Sequence, residues 1–164
     1  MKKKILITGV AGFIGFSLAR ELSKIKNVII LGVDNFEPYY SIKLKKKRLE
    51  ILKKFKNFIF YKLDLSKNSD QLFKIFKKHK LKYVINLAAQ AGVRYYITNP
   101  DTYIDNNING FFNVINDLQK NKIKHFVYAS TSSVYGDAKK FPLNESYHCN
   151  KPIQLYAATK KSNE

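Results

Sequence analysis

Tyr156 and Lys160 stand four residues apart, which on a helix sets a phenol and an ammonium one turn from each other on a single face. A free tyrosine has a pKa near 10 and is a poor base at neutral pH. A cation beside it favours the phenolate, and the same amine can hydrogen-bond the hydroxyls of a ligand. Thr131-Ser132-Ser133 sets a hydroxyl cluster upstream, and a hydroxyl beside Tyr156 could relay a proton or hold a substrate oxygen. The chemistry within reach is proton transfer at an alcohol. Tyrosine and lysine are abundant here, and a hydroxyl cluster is also an ordinary polar turn after a strand. The weight of the group therefore comes from its scaffold.

That scaffold opens with Gly9-Val10-Ala11-Gly12-Phe13-Ile14-Gly15, directly after an apolar run. Glycines between a first strand and a helix permit a tight turn and let the backbone approach a pyrophosphate. The helix start then offers free amides and the positive end of its dipole. The spacing is Gly-x-x-Gly-x-x-Gly, where the commoner dinucleotide fingerprint is Gly-x-Gly-x-x-Gly. Asp34, ending the second apolar run 19 residues past Gly15, strengthens the reading. A carboxylate there accepts hydrogen bonds from adenosine ribose hydroxyls and repels a 2′-phosphate, so NAD is expected over NADP. Asp64, after the third run, could approach the adenine or be a simple loop carboxylate.

Composition narrows the alternatives. A chain of 164 residues that is 45% hydrophobic is expected to bury one ordinary core. No apolar run reaches the roughly 18 residues of a membrane span. Met1-Lys2-Lys3-Lys4 starts like a signal peptide, but glycines interrupt the following apolar stretch and no small-residue cleavage site follows. A cytoplasmic protein is expected. Cys149 is the single cysteine, and His79, His125 and His148 are scattered, so neither a disulfide framework nor a metal site is expected. The net charge of +18 suggests nucleic acid, but half of the 30 basic residues lie between Ile42 and Lys82. There Ile42, Leu49 and Leu52 recur at helical spacing, so the lysines read as the solvated face of an amphipathic helix. No specific nucleic-acid partner is expected; a positive field that attracts a small anionic ligand is the milder reading.

The elements that must carry these motifs alternate. Strands are predicted at Lys4–Thr8, Val28–Val33, Phe58–Leu63, Tyr83–Leu87 and His125–Ala129, with helices over Phe13–Lys26, Ile42–Phe55, Asp70–Lys78 and Thr102–Lys120. Short, continuous apolar strands each followed by a helix predict an α/β fold, a doubly wound Rossmann-type parallel sheet covered on both faces. Residues 1–164 are expected to be one dinucleotide-binding domain.

The chain resembles the extended short-chain dehydrogenase/reductase family of nucleotide-sugar epimerases and dehydratases. The resemblance rests on Thr8 to Gly15, Asp64-Leu65, Asn86-Leu87-Ala88-Ala89-Gln90-Ala91-Gly92-Val93-Arg94, Tyr128 to Gly136 and Tyr156-Ala157-Ala158-Thr159-Lys160. Within the family it is most similar to UDP-glucuronate 4-epimerases, through Asp34-Asn35-Phe36 with Tyr39-Tyr40, the Ala88 to Arg94 run, and Leu155 to Lys161. The resemblance implies that Tyr156 is the acid/base, Lys160 its partner and ribose contact, and Thr131 the third catalytic hydroxyl. It implies cofactor contacts at Gly9, Gly12, Phe13, Ile14, Gly15, Asp34, Asn35, Asp64, Leu65, Leu87, Ala88, Ala89 and Asn107, besides Tyr156 and Lys160. Substrate contacts are implied at Gln90, Gly92, Arg94, Thr131, Ser132, Ser133 and Tyr156. The implied reaction is 4-epimerisation of a UDP-sugar through a 4-keto intermediate, with NAD regenerated each cycle. Family dehydratases carry Asp-Glu where this chain has Ser132-Ser133; two serines can hydrogen-bond a C6 carboxylate but cannot eliminate water. Alternatives are a catalytically dead NAD-binding remnant or a 4,6-dehydratase relative. Family members run to about twice this length and are homodimers. The sheet is therefore expected to be incomplete at its C-terminal side, the substrate domain absent, and the fragment inactive alone.

Overall fold

The computed structural model describes residues 2–92 and 94–164; Met1 and the Val93 of the resemblance run lie outside the described residues. Five strands form one sheet: β1 (Lys3–Thr8), β2 (Val28–Asp34), β3 (Phe58–Lys62), β4 (Tyr83–Asn86) and β5 (His125–Tyr128), in the order β3-β2-β1-β4-β5. All pairs are parallel; Leu6 lies opposite Leu31 on β2 and Val84 on β4. The chain steps from β1 out to β3, then returns to place β4 on the other side of β1. That reversal opens a crevice beyond the carboxyl ends of β1 and β4, where ligands bind in such sheets.

Alternation along each strand builds two cores. Leu6, Leu31, Val33 and Val84 meet Leu72, Ile75 and Phe76 of α3 (Ser69–His79) and Val114 of α5 (Gly110–Asn121) on one face. Ile7, Val28, Ile30 and Phe58 meet Ala19 of α1 (Phe13–Ser23) and Leu49 and Leu52 of α2 (Ile42–Lys53) on the other. Neighbouring residues point to opposite faces, so a strand buried on both sides must be apolar throughout. A fully buried Leu or Ile side chain contributes roughly 1.5–3 kcal/mol.

Three expectations shift. The basic helix buries Leu49 and Leu52 as predicted, but Ile42 is exposed and Lys45 takes an inward place, its Nζ donating to the Glu37 carbonyl at 2.7 Å. The long helix predicted over 102–120 begins as α4 (Asp101–Tyr103), widens into a π-helical stretch (Ile104–Asn109), and continues as α5. Within the wide turn Asn106 Nδ2 donates to the Thr102 carbonyl, while the Asn107 amide leaves the helix for partners elsewhere. Short 3-10 turns at Tyr95–Ile97 and Ser132–Tyr135 were not predicted. The last helix, α6 (Leu155–Asn163), packs on the second of these and on the π-helical stretch. β5 is an edge strand whose Val127 is exposed.

Candidate functional site

A cleft of about 520 Å³ runs across the carboxyl edge of the sheet, from Asp34 and Asn35 at one end to Tyr156 and Lys160 at the other. Its middle is the glycine turn. Gly9 has φ +67, and a Cβ there would stand 2.8 Å from the Ala88 nitrogen; one on Gly15 would overlap the Gly9 carbonyl. Only glycine lets these backbones meet. Gly12 caps α1 without any side-chain hydrogen bond, and Phe13 and Ile14 are exposed beside it. The first amides of α1 thus face an open cleft and suit an anion.

Asp34 is buried and built into the turn. Its Oδ2 accepts from the Ala11 amide and its Oδ1 from the Phe36 amide, each at 2.9 Å. Each carboxylate oxygen retains acceptor capacity toward the cleft it lines. Two cations missed in the sequence also line this end. Arg48 donates to the Ala11 carbonyl at 3.2 Å and lies over the rings of Phe13 and Phe16; Lys45 is the buried lysine of α2. Both were hidden in a lysine-rich helix, where nothing but their position three residues apart marks them.

Asn35, Leu65, Leu87, Ala88, Ala89 and Gln90 line the cleft. Asp64 stands behind it, accepting from the Ser66 amide and hydroxyl and, at 3.5 Å, from Asn35. Thr8, fully buried, accepts from the Leu87 and Ala88 amides at 3.1 Å and donates to Asn86, so one hydroxyl fixes the β4 loop against the glycine turn.

Tyr156 and Lys160 face the cleft from α6 and are 9% and 4% exposed. Burial pushes the Lys160 ammonium below the usual lysine range, with the Glu164 carboxylate opposing more weakly. Among the described residues no group hydrogen-bonds its Nζ, which leaves that amine available to a phenolate or to ligand hydroxyls. Thr131 caps the 3-10 turn by accepting from the Ser133 amide at 3.2 Å. Thr131, Ser132 and Ser133 do not line the cleft; Ala129 and Ser130 do. Gly92 and Arg94 also lie outside its lining, Gly92 buried and Arg94 exposed.

Asn107, implied as a cofactor contact, is 1% exposed and turned inward. Its Oδ1 accepts from the Gln90 amide at 2.7 Å, and its Nδ2 donates to the Gln90 carbonyl at 3.1 Å and to Thr159 Oγ1 at 3.0 Å. It therefore positions the loop that lines the cleft. Gln90 itself is buried, its side-chain amide set against the Tyr103 hydroxyl. The glycine cradle, which leaves no room for a Cβ, with the carboxylate at one end and the buried amine at the other, fits a dinucleotide.

The arrangement defines a class, and the comparisons agree with it. The NAD dependent epimerase/dehydratase family matches residues 5–164, and the chain belongs to that family. It is 51% identical to Protein CapI of Staphylococcus aureus over 98% of this chain and 47% of that protein. It is 43% identical to a UDP-glucuronate 4-epimerase of Thermodesulfobacterium geofontis over 97% of this chain and 48% of the relative. The solved UDP-glucuronic acid 4-epimerase of Bacillus cereus, in complex with UDP-glucuronic acid and NAD, superposes with a TM-score of 0.89 at 32% identity, covering 98% of this chain and 49% of that one. The chain spans about half the length of the curated relatives it matches.

Proposed function

We propose that these residues form the NAD-binding and proton-transferring half of a UDP-sugar 4-epimerase, with UDP-glucuronate as substrate and the 4-epimer UDP-galacturonate as product. The observation that carries the reading is the pairing of Tyr156 with Lys160 at one end of a cleft whose other end is Asp34. NAD bound there supplies a hydride acceptor and donor at sugar C4. Glycines 9, 12 and 15 with the start of α1 hold the pyrophosphate, and Asp34 takes the adenosine ribose hydroxyls. Lys160 donates to the other ribose and sets a cation one helical turn from Tyr156. Tyr156 then removes the proton of the C4 hydroxyl as the carbonyl forms, and returns it after the sugar turns over. Thr131 lies outside the cleft lining but caps the turn packed against the Tyr156 helix, and in the complete protein it would relay that proton or hold the C4 oxygen. Ser132 and Ser133 hydrogen-bond the C6 carboxylate, which favours epimerase over dehydratase because neither serine can serve as the acid–base pair for water loss. A homodimer is proposed on the resemblance to full-length family members.

The test is incubation of the protein carrying these residues with UDP-glucuronate and NAD, with products resolved by anion-exchange chromatography and NMR. Formation of UDP-galacturonate is expected. A 4-keto-6-deoxy product from a neutral UDP-hexose would replace the reading with a dehydratase, and NAD binding without turnover would leave a dead remnant. Residues 1–164 alone are expected to bind NAD weakly and to turn over no substrate, since uridine contacts are expected from the other half of such proteins.

A further inference from the structure

The Asp34-to-Tyr40 segment was singled out in the sequence, yet only its first residues have a role so far. The structure gives the rest of it an unusual neighbour. The loop after β2 is held by its own side chains: Phe36 takes φ +59, the Glu37 amide donates to Asn35 Oδ1 and the Tyr39 amide to Glu37 Oε2, at 2.9 and 2.8 Å. Phe36 is anchored on Phe60 of β3, with ring centroids 5.6 Å apart. This framework presents the Tyr39 ring to the loop after β4, where its centroid lies 4.6 Å from that of Tyr95. Tyr39 also covers Gly92 so closely that a Cβ there would overlap the tyrosine hydroxyl and ring. Gly92 is fixed from the other side, its carbonyl accepting from the buried Tyr103 hydroxyl.

β2 and β4 flank β1, so loops from the two strands that touch each other must span the carboxyl end of β1, where the glycine turn lies. Tyr39 and Ala91 line the same cleft as Gly12 and Phe13. A ligand stretched from Asp34 to Lys160 crosses that span at its middle. Each loop is braced by its own hydrogen bonds. Among the described residues no hydrogen bond runs between Tyr39 and the β4 loop, and ring packing is what joins them there. A contact of that kind is weak enough to open within the lifetime of a complex.

We propose that Tyr39, seated on Gly92 and Tyr95, is a latch across the pyrophosphate section of the cleft, and that its opening gates entry and exit of the dinucleotide. The inference rests on the cofactor reading above and adds to it the element that retains the ligand. A gate differs from a simple contact in its kinetics: it slows association and dissociation together.

The probe is NADH, followed by fluorescence in stopped flow. Tyr39→Ala is expected to raise both the association and the dissociation rate about 3- to 10-fold, the range an aromatic pair supports, with little change in Kd. Tyr39→Phe keeps the ring and is expected to match the unmutated protein. Dissociation unchanged in the Ala variant would overturn the latch, as would a rise in dissociation alone with a matching loss of affinity. Amide hydrogen exchange without any cofactor separates the two readings. Residues 94–99 should exchange faster in Tyr39→Ala, and exchange unaffected by the substitution would remove the latch whatever the cofactor does. Failure of the unmutated protein to bind NADH would instead remove the cofactor reading.

Discussion

Asn107 Nδ2 donates to Thr159 Oγ1 at 3.0 Å, and Thr159 Oγ1 donates in turn to the Tyr156 carbonyl at 2.8 Å. One amide in the π-helical stretch thus braces both the Gln90 loop and the helix that carries Tyr156 and Lys160. Asn107→Ala strands the Gln90 amide and carbonyl in a buried site, and unfolding stability should fall by about 1–3 kcal/mol for each group left unpaired. Thr159→Val should cost less, because Gln90 keeps its partner. In both, turnover should drop without a shift in its pH profile, since neither side chain titrates. Urea unfolding and a pH–rate series check the two halves of this prediction.

Asp34 is expected to decide between the two dinucleotides. Asp34→Ala removes the charge that repels a 2′-phosphate and leaves Lys45 and Arg48 at the same end of the cleft to attract one. Affinity for NADP should rise relative to NAD in parallel titrations. Equal binding of both cofactors by the unmutated protein would contradict the assignment.

Tyr156→Phe keeps the ring in its buried place and removes the ionisable oxygen. Turnover by the complete enzyme should fall on the order of 10²–10⁴-fold, with nucleotide-sugar binding largely kept. Near-normal turnover in steady-state assays would refute the role of Tyr156.

Asp117 on α5 is 4% exposed, its Oδ2 has no partner among the described residues, and burial raises its carboxyl to about 6. The Lys120 cation lowers it less than burial raises it, and Asp70 of α3 adds to the rise. The folded state therefore keeps a proton that the unfolded chain releases near 3.8, and this group's contribution falls as pH rises between those values. Asp117→Asn should stabilise the protein at pH 7 by about 1–3 kcal/mol and leave it unchanged below pH 4. Thermal unfolding across pH 4–7 reads both effects.

What could be read from the chain alone was set by short-range rules. Strands buried on two faces must be apolar at every position, glycines must stand where backbones touch, and a four-residue spacing puts Tyr156 and Lys160 on one face. Those rules identified the five strands, the parallel sheet, the cleft's glycine floor and its two ends. Helix ends shifted by a few residues, and the long helix after Pro100 concealed a π-helical stretch, because Asn107 finds its partners 17 and 52 residues away. Lys45 and Arg48 looked like any other lysine-rich surface until the fold set them beside the glycine turn. Tyr39 and Gly92 lie 53 residues apart and meet only because β2 and β4 flank β1. Periodicity reports which face a residue occupies; which residues come to share a cleft depends on strand order and loop closure, and those are properties of the whole sheet.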